Sequence, residues 1–175
     1  MARAIPKTCT MPRWLDKLLG RVPKVTDWDQ LELGGVEVEG TVRALELLED
    51  PVGGRRCVAI DYRAWPPSTT AGVDGAAVVG DRAFQIAAAQ GVEFLLEAAG
   101  RSVLIRPESG VDVAGRHHAL EERYGINLRT EVHCISPGDT VAVRGRVVHL
   151  TPRGGSPHRA EPHRAVIAAE QIRLV

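Results

Sequence analysis

From Val36 onward, apolar and polar residues alternate with a period of two. Val36, Val38 and Val42 fall on one side, and Glu37, Glu39, Thr41 and Arg43 on the other. That alternation predicts a half-buried strand, with Gly40 as a bend or bulge. Pro51 and the Gly53-Gly54 pair predict a turn. Residues 56–65 alternate again, with Val58, Ile60 and Tyr62 on one face and Asp61 and Arg63 on the other. The two runs read together as a long hairpin, with Cys57 opposite the Val58, Ile60 and Tyr62 face.

Pro66-Pro67 and residues 68–75 read as a loop of small residues. Strand-like runs follow at 84–88, 92–97 and 102–106, with Gly91 and Gly100 at the turns between them. The alanines at 87–89 are also compatible with a helix. Residues 107–115 read as a loop, 117–124 as a short helix and 128–135 as extended chain. Ser136-Pro137-Gly138-Asp139 has the composition of a tight turn. Beyond it Val141, Val143 and Val147 alternate with Arg144, Arg146 and Val148, with Gly145 interrupting. Residues 151–162 read as a solvated loop, and 166–175 as a last strand.

The N-terminal stretch has a different period. Trp14, Leu15, Leu18 and Leu19 fall on one side of a short helix. Thr10 stands where an N-cap would, Pro12 where an early helical proline would, and Gly20 would end it. Such a stripe packs on its own domain or serves as a docking helix for a partner or a membrane surface. The whole pattern, many short strands with turn signals and little helix, predicts an all-β sandwich or small barrel with minor α content. A last strand so near residue 175 would close a sheet and remove an open edge.

Composition narrows the functional classes. The chain has 175 residues, 44% hydrophobic and 25% charged, which suits one globular domain, or one domain with an arm. Formal net charge is zero, so no global field draws it to nucleic acid or anionic lipid. Its Trp, Tyr and Phe together are only 4% of the chain, few for a protein that stacks bases. No stretch approaches the roughly 20 apolar residues that cross a bilayer. The first residues lack the apolar run of a secretory signal, so a cytoplasmic location is expected.

Cys9, Cys57 and Cys134 are odd in number and far apart, and no CxxC pair exists. That spacing excludes a RING or zinc ribbon and points to free, buried thiols in a reducing compartment. His117-His118 and His133-Cys134 are adjacent pairs, with His149, His158 and His163 further on. Neighbours on a strand point to opposite faces, so a pair of this kind does not give one metal two ligands. No metal and no cofactor is expected. A phosphate-binding loop, a GxSxG elbow and a dinucleotide-binding glycine motif are all missing. The scattered Asp and Glu residues form no acid–base pair, so no catalytic residue is assigned.

Three groups of residues carry a family resemblance. The first is Gly40-Thr41-Val42, then Pro51 and Gly54, then Cys57-Val58. The second is Phe94-Leu95-Leu96-Glu97, Gly100 and the run from Val103 to Pro107. The third is Pro137-Gly138-Asp139 with Val141, Val143 and Gly145. In order and spacing, from about residue 33 onward, the chain resembles the GIDE domain of mulan-type E3 ligases and their bacterial relatives. Asp50 stands where that family usually has serine, and its acidic position after the Phe-x-Leu pattern is replaced here by Glu97-Ala98. The family's transmembrane helices and RING finger have no counterpart in the sequence, so ligase activity is not carried over.

The resemblance implies an OB-like barrel, closed or partly open, of five to seven strands. Residues 1–30 would be an N-terminal helical arm and residues 31–175 the barrel domain. It also implies a non-enzymatic protein-interaction or scaffold module, with another protein as partner. A single-stranded nucleic-acid binder is the alternative, because OB-like barrels often take that role. Arg63, Trp65, Arg144 and Arg146 are the candidate ligand or partner face. Glu37 and Glu39 oppose a purely basic strip there. Peripheral membrane contact would fall to the N-terminal helix.

Overall fold

The computed structural model describes residues 22–66, 69–71, 77–79, 85–108, 110–125, 128–151 and 163–175. Its strands in chain order are β1 (Gly34–Ala44), β2 (Leu48–Glu49), β3 (Arg56–Cys57), β4 (Ala59–Trp65), β5 (Thr69–Ala71), β6 (Ala77–Val79), β7 (Ile86–Gly91), β8 (Phe94–Ala98), β9 (Arg101–Pro107), β10 (Arg129–Ile135), β11 (Thr140–Leu150) and β12 (Ala165–Leu174). One helix, α1 (Val113–Tyr124), lies between β9 and β10. The helix expected near Trp14, Leu15, Leu18 and Leu19 lies outside the described residues.

Five strands close a barrel in the order β1-β11-β12-β9-β8. Every neighbouring pair is antiparallel except β12 and β9, which run parallel. Its core is the inward row of the period-two pattern. Val36, Val38 and Val42 of β1 meet Phe94 and Leu96 of β8, Val103 and Ile105 of β9, Val141 and Val143 of β11, and Ile167 of β12. Each such side chain contributes about 1.5–3 kcal/mol when fully buried. Gly40 marks where β1 changes partner, from β11 to β8. A Cβ there would stand 2.6 Å from the Glu97 carbonyl oxygen, so only glycine permits the crossing.

The barrel's packing begins before residue 31. Lys24 bridges to Glu37, Val25 N–H donates to Glu37 O, and Glu37 N–H donates to Pro23 O. A single 3-10 turn, Trp28–Gln30, capped by the Asp27 carboxylate, then drops Trp28 into the barrel core, 3% exposed.

The rest of the chain is inserted into this barrel. Between β1 and β8 come β2 to β7, and between β9 and β11 come α1 and β10. The two insertions meet as a three-stranded antiparallel sheet, β10-β4-β7. α1 covers one of its faces. Ile60, Tyr62, Ala64 and Ala88 form a second core with Val113. Gln90 fixes the helix start, its side-chain oxygen accepting from Val113 N–H at 3.0 Å, and Asp112 caps it through Gly115 N–H.

The long hairpin expected from residues 36–43 and 56–65 does not form. β1 takes β11 and β8 as neighbours, and β4 takes β10 and β7. The turn at Pro51 to Gly54 closes only the short ladder of β2 and β3. The reason is at Val58, where the strand breaks. Val58 joins the barrel core, while Ile60 and Tyr62 join the second core. Cys57, expected opposite them, shares their cluster instead. The alanines at 87–89 are strand, within β7, and α1 begins at Val113, before the expected residue 117.

Candidate interaction face

The three-stranded sheet has one face under α1 and one turned outward. The outward residues of β4 are Ala59, Asp61, Arg63 and Trp65, alternating with buried Ile60, Tyr62 and Ala64. The register sets Glu131 beside Arg63 and His133 beside Asp61 on β10, with Ala87 and Ala89 beside them on β7. Small residues on β7 leave the face low on that side, so the charged row stands free. Asp61 and Arg63 are 48% and 43% exposed and pair at 3.2 Å. Glu131 pairs with His133 at 2.8 Å. At the end of the row the Arg129 guanidinium lies 5.5 Å from the centre of the Trp65 ring, within cation–π range.

Of the four residues expected to make one face, Arg63 and Trp65 lie here, whereas Arg144 and Arg146 lie on β11 of the barrel. They belong to two sheets rather than to one strip. Arg144 sits between Glu37 and Gln171 across its two neighbouring strands, and Glu37 also takes Arg173 at 3.0 Å. Arg144 therefore stands in mixed charge, while Arg146 lies between Gly35 and Ala168.

Two clusters that sequence spacing did not reveal lie behind this face. In the first, the Tyr62 hydroxyl is 3.0 Å from His117 Nδ1, and His117 Nε2 is 3.2 Å from the Glu121 carboxylate. Burial raises the Tyr62 hydroxyl above its ordinary value, with Glu121 adding to the effect. Only the His117–Glu121 part, one helical turn apart, was legible locally. In the second, the Cys57 thiol lies near that of Cys134 and within 3.8 Å of the Leu48 carbonyl oxygen. Burial, then the neighbouring Cys134, pushes Cys57 up to about 12, and burial raises Cys134 as well. Both remain protonated at neutral pH and are poor nucleophiles.

Asp50, just before Pro51, is 2% exposed. Burial by itself pushes its carboxyl up. The N–H groups of Val52 and Gly53 and the Arg55 guanidinium, 3.0 Å away, outweigh that and hold it below the usual carboxylate range. It organises the turn between β2 and β3. Among the described residues no three of His, Cys, Asp and Glu converge as a metal site would require. No helix there is long and apolar enough to cross a membrane.

Beside the outward face a groove of about 480 Å³ runs between the sheet and β12. Ala59, Gly91 and Ile135 line its sheet side, and Ile172 and Leu174 its barrel side. A scan against protein-family models finds no match for this chain, and neither does a search of curated proteins.

Proposed function

We propose that this chain is a non-enzymatic protein-interaction or scaffold module on an OB-like barrel, the role its GIDE resemblance implies. The strand order supports the OB-like reading. Taken in chain order, the barrel strands β1, β8, β9, β11 and β12 lie around the barrel as β1-β8-β9-β12-β11. The third and fifth are the parallel pair, and the helix falls between the third and fourth. That order supports an OB-type Greek-key reading.

One observation carries the interaction reading: the outward face of the three-stranded sheet. It is exposed, it carries both signs of charge in adjacent pairs, and it ends in a partly covered Trp65. A face of that kind suits protein recognition, where aromatic and arginine anchors dominate. The test is a stoichiometric protein complex, isolated with the full chain and titrated by calorimetry. Replacing Arg63 and Trp65 together by alanine is expected to weaken it about tenfold or more. A chain that stays alone with every protein fraction offered to it counts against the proposal.

Nucleic-acid binding is the weaker reading, for a specific reason. OB barrels bind strands across the outward face of their second and third strands, here β8 and β9. On that face β8 and β9 carry Leu95, Glu97, Ser102, Leu104 and Arg106, with no aromatic ring among them, and Leu95 and Leu104 are buried in a cluster with Val166. Arg106 is paired with Glu93 at 2.6 Å, and Glu97 with Arg43 at 3.0 Å. Binding of a single-stranded oligonucleotide that weakens steeply with salt would replace the protein reading.

A further inference from the structure

β12 is paired along its length with β11 on one side, but with β9 only as far as Ala169, opposite Pro107. One residue further on, each of the two strands carries a glutamate, Glu108 and Glu170. Proline ends the ladder by lacking an N–H, and like charges keep the strands apart. Residues 170–174 are thus left as an open edge among the described residues, about 16 Å long at strand rise.

The hydrogen-bonding pattern shows which groups point outward from that edge. Val175 N–H donates to Thr140 O, which makes Leu174 and Val141 a non-hydrogen-bonded pair. Ile172 and Val143, two residues back, are then another. The N–H and C=O groups of Ile172 and Leu174 therefore point away from β11. Edges are commonly blunted with lysine or proline, and here the two outward-bonding residues are isoleucine and leucine. Leu174 is 58% exposed.

The groove described above runs along this edge. Much of its lining is apolar, and it includes Asp61, Glu108 and Glu170, with His133, which is paired to Glu131, but no lysine or arginine. Asp61 is paired with Arg63. Glu108 and Glu170 have no ion-pair partner among the described residues.

We infer that the open edge of β12 takes up an extended segment of a partner protein by strand addition, one carrying lysine or arginine between alternate apolar side chains. This rests on the protein-interaction reading and gives it a place and a chemistry. Main-chain bonds to Ile172 and Leu174 supply the pairing, and the groove receives every second side chain. Glu108 and Glu170 select for positive charge. A second copy of this chain fits less well, because edge-to-edge pairing would bring the acidic linings of two grooves together.

The experiment uses the full chain and a fluorescent peptide of about eight residues alternating lysine and valine. Two controls are the glutamate–valine peptide and the lysine–valine peptide methylated at alternate backbone nitrogens. Saturable binding of the lysine peptide, about tenfold loss on backbone methylation and about tenfold loss in Glu108→Lys/Glu170→Lys are expected. That variant should prefer the glutamate peptide. Binding indifferent to methylation or to charge reversal overturns the inference, as does no binding at all. Self-association through β12, read by sedimentation, overturns it in favour of a second copy. A protein complex equally tight with the charge-reversed variant places recognition elsewhere and leaves the module reading standing.

Discussion

The Tyr62 hydroxyl and His117 Nδ1 lie 3.0 Å apart at the seam between β4 and α1, with both residues buried. Their rings meet edge to face at 5.6 Å. The carboxylate of Glu121 only accepts, so the neutral ring carries its proton on Nε2 and Nδ1 accepts from Tyr62 O–H. This is one polar fastening between the two insertions, beside the Gln90–Val113 hydrogen bond and the β4–β10 ladder. Ile60, Ala64, Ala88 and Val113 pack around it.

Tyr62→Phe keeps the ring and removes the hydroxyl, leaving a buried imidazole nitrogen unpaired. A loss of about 1–3 kcal/mol is expected in urea unfolding. His117→Ala also opens a cavity and should cost more than Tyr62→Phe.

The Asp50 carboxylate is favoured by folding, since its hydrogen bonds hold it below its ordinary value of 3.8. That contribution is present above 3.8 and disappears as pH falls through the lower folded value. Asp50→Asn should therefore destabilise the chain by about 1–2 kcal/mol at neutral pH. Unfolding curves of the two proteins are expected to converge in strong acid.

For Cys57 the sign is opposite. Its thiol ionises at about 12 in the fold, against 9.0 for an ordinary thiol, so folding favours the neutral form. That stabilisation is complete below pH 9 and is lost as pH rises towards 12. Iodoacetamide at neutral pH should leave Cys57 unmodified in the native chain and label it in denaturant, as mass mapping would show. Cys57→Ala should flatten the alkaline limb of a stability profile.

Gly145 stands where the register of β11 against β12 shifts and Glu170 is left over as a bulge. A Cβ at this position would meet the Ala168 carbonyl oxygen at 2.2 Å, a backbone atom that cannot move aside cheaply. Gly145→Ala should cost about 1–3 kcal/mol or more in thermal or urea unfolding. Gly138, whose φ is 92° in the turn before β11, makes a separate case: its Cβ would meet nothing, and the cost of alanine there is conformational strain, about 1 kcal/mol.

Much of the barrel was legible locally. The alternation of Val36, Val38 and Val42, the turn at Pro137-Gly138, and the interruption at Gly145 all fall where the strands, turn and bulge lie. Of the candidate face, Arg63 and Trp65 share an outward strand face as their spacing required, whereas Arg144 and Arg146 stand on another sheet. Neither Glu108 with Glu170 nor Cys57 with Cys134 carries any signal of nearness in the sequence. The members of each pair are many residues apart; the β9–β12 pairing brings the two glutamates together, and packing in the second core brings the two thiols together.

By itself the sequence determined which residues face inward along β1 and β4, because side-chain direction follows from a backbone period of two and needs no partner. It also determined where the chain turns, because proline and glycine restrict or free the backbone locally. Tertiary structure alone decided which strand lies beside which. β1 and β4 have the same pattern, yet Val38 and Tyr62 pack into different cores. Strand pairing is settled by the total burial that the closed barrel achieves, and that quantity belongs to no local stretch.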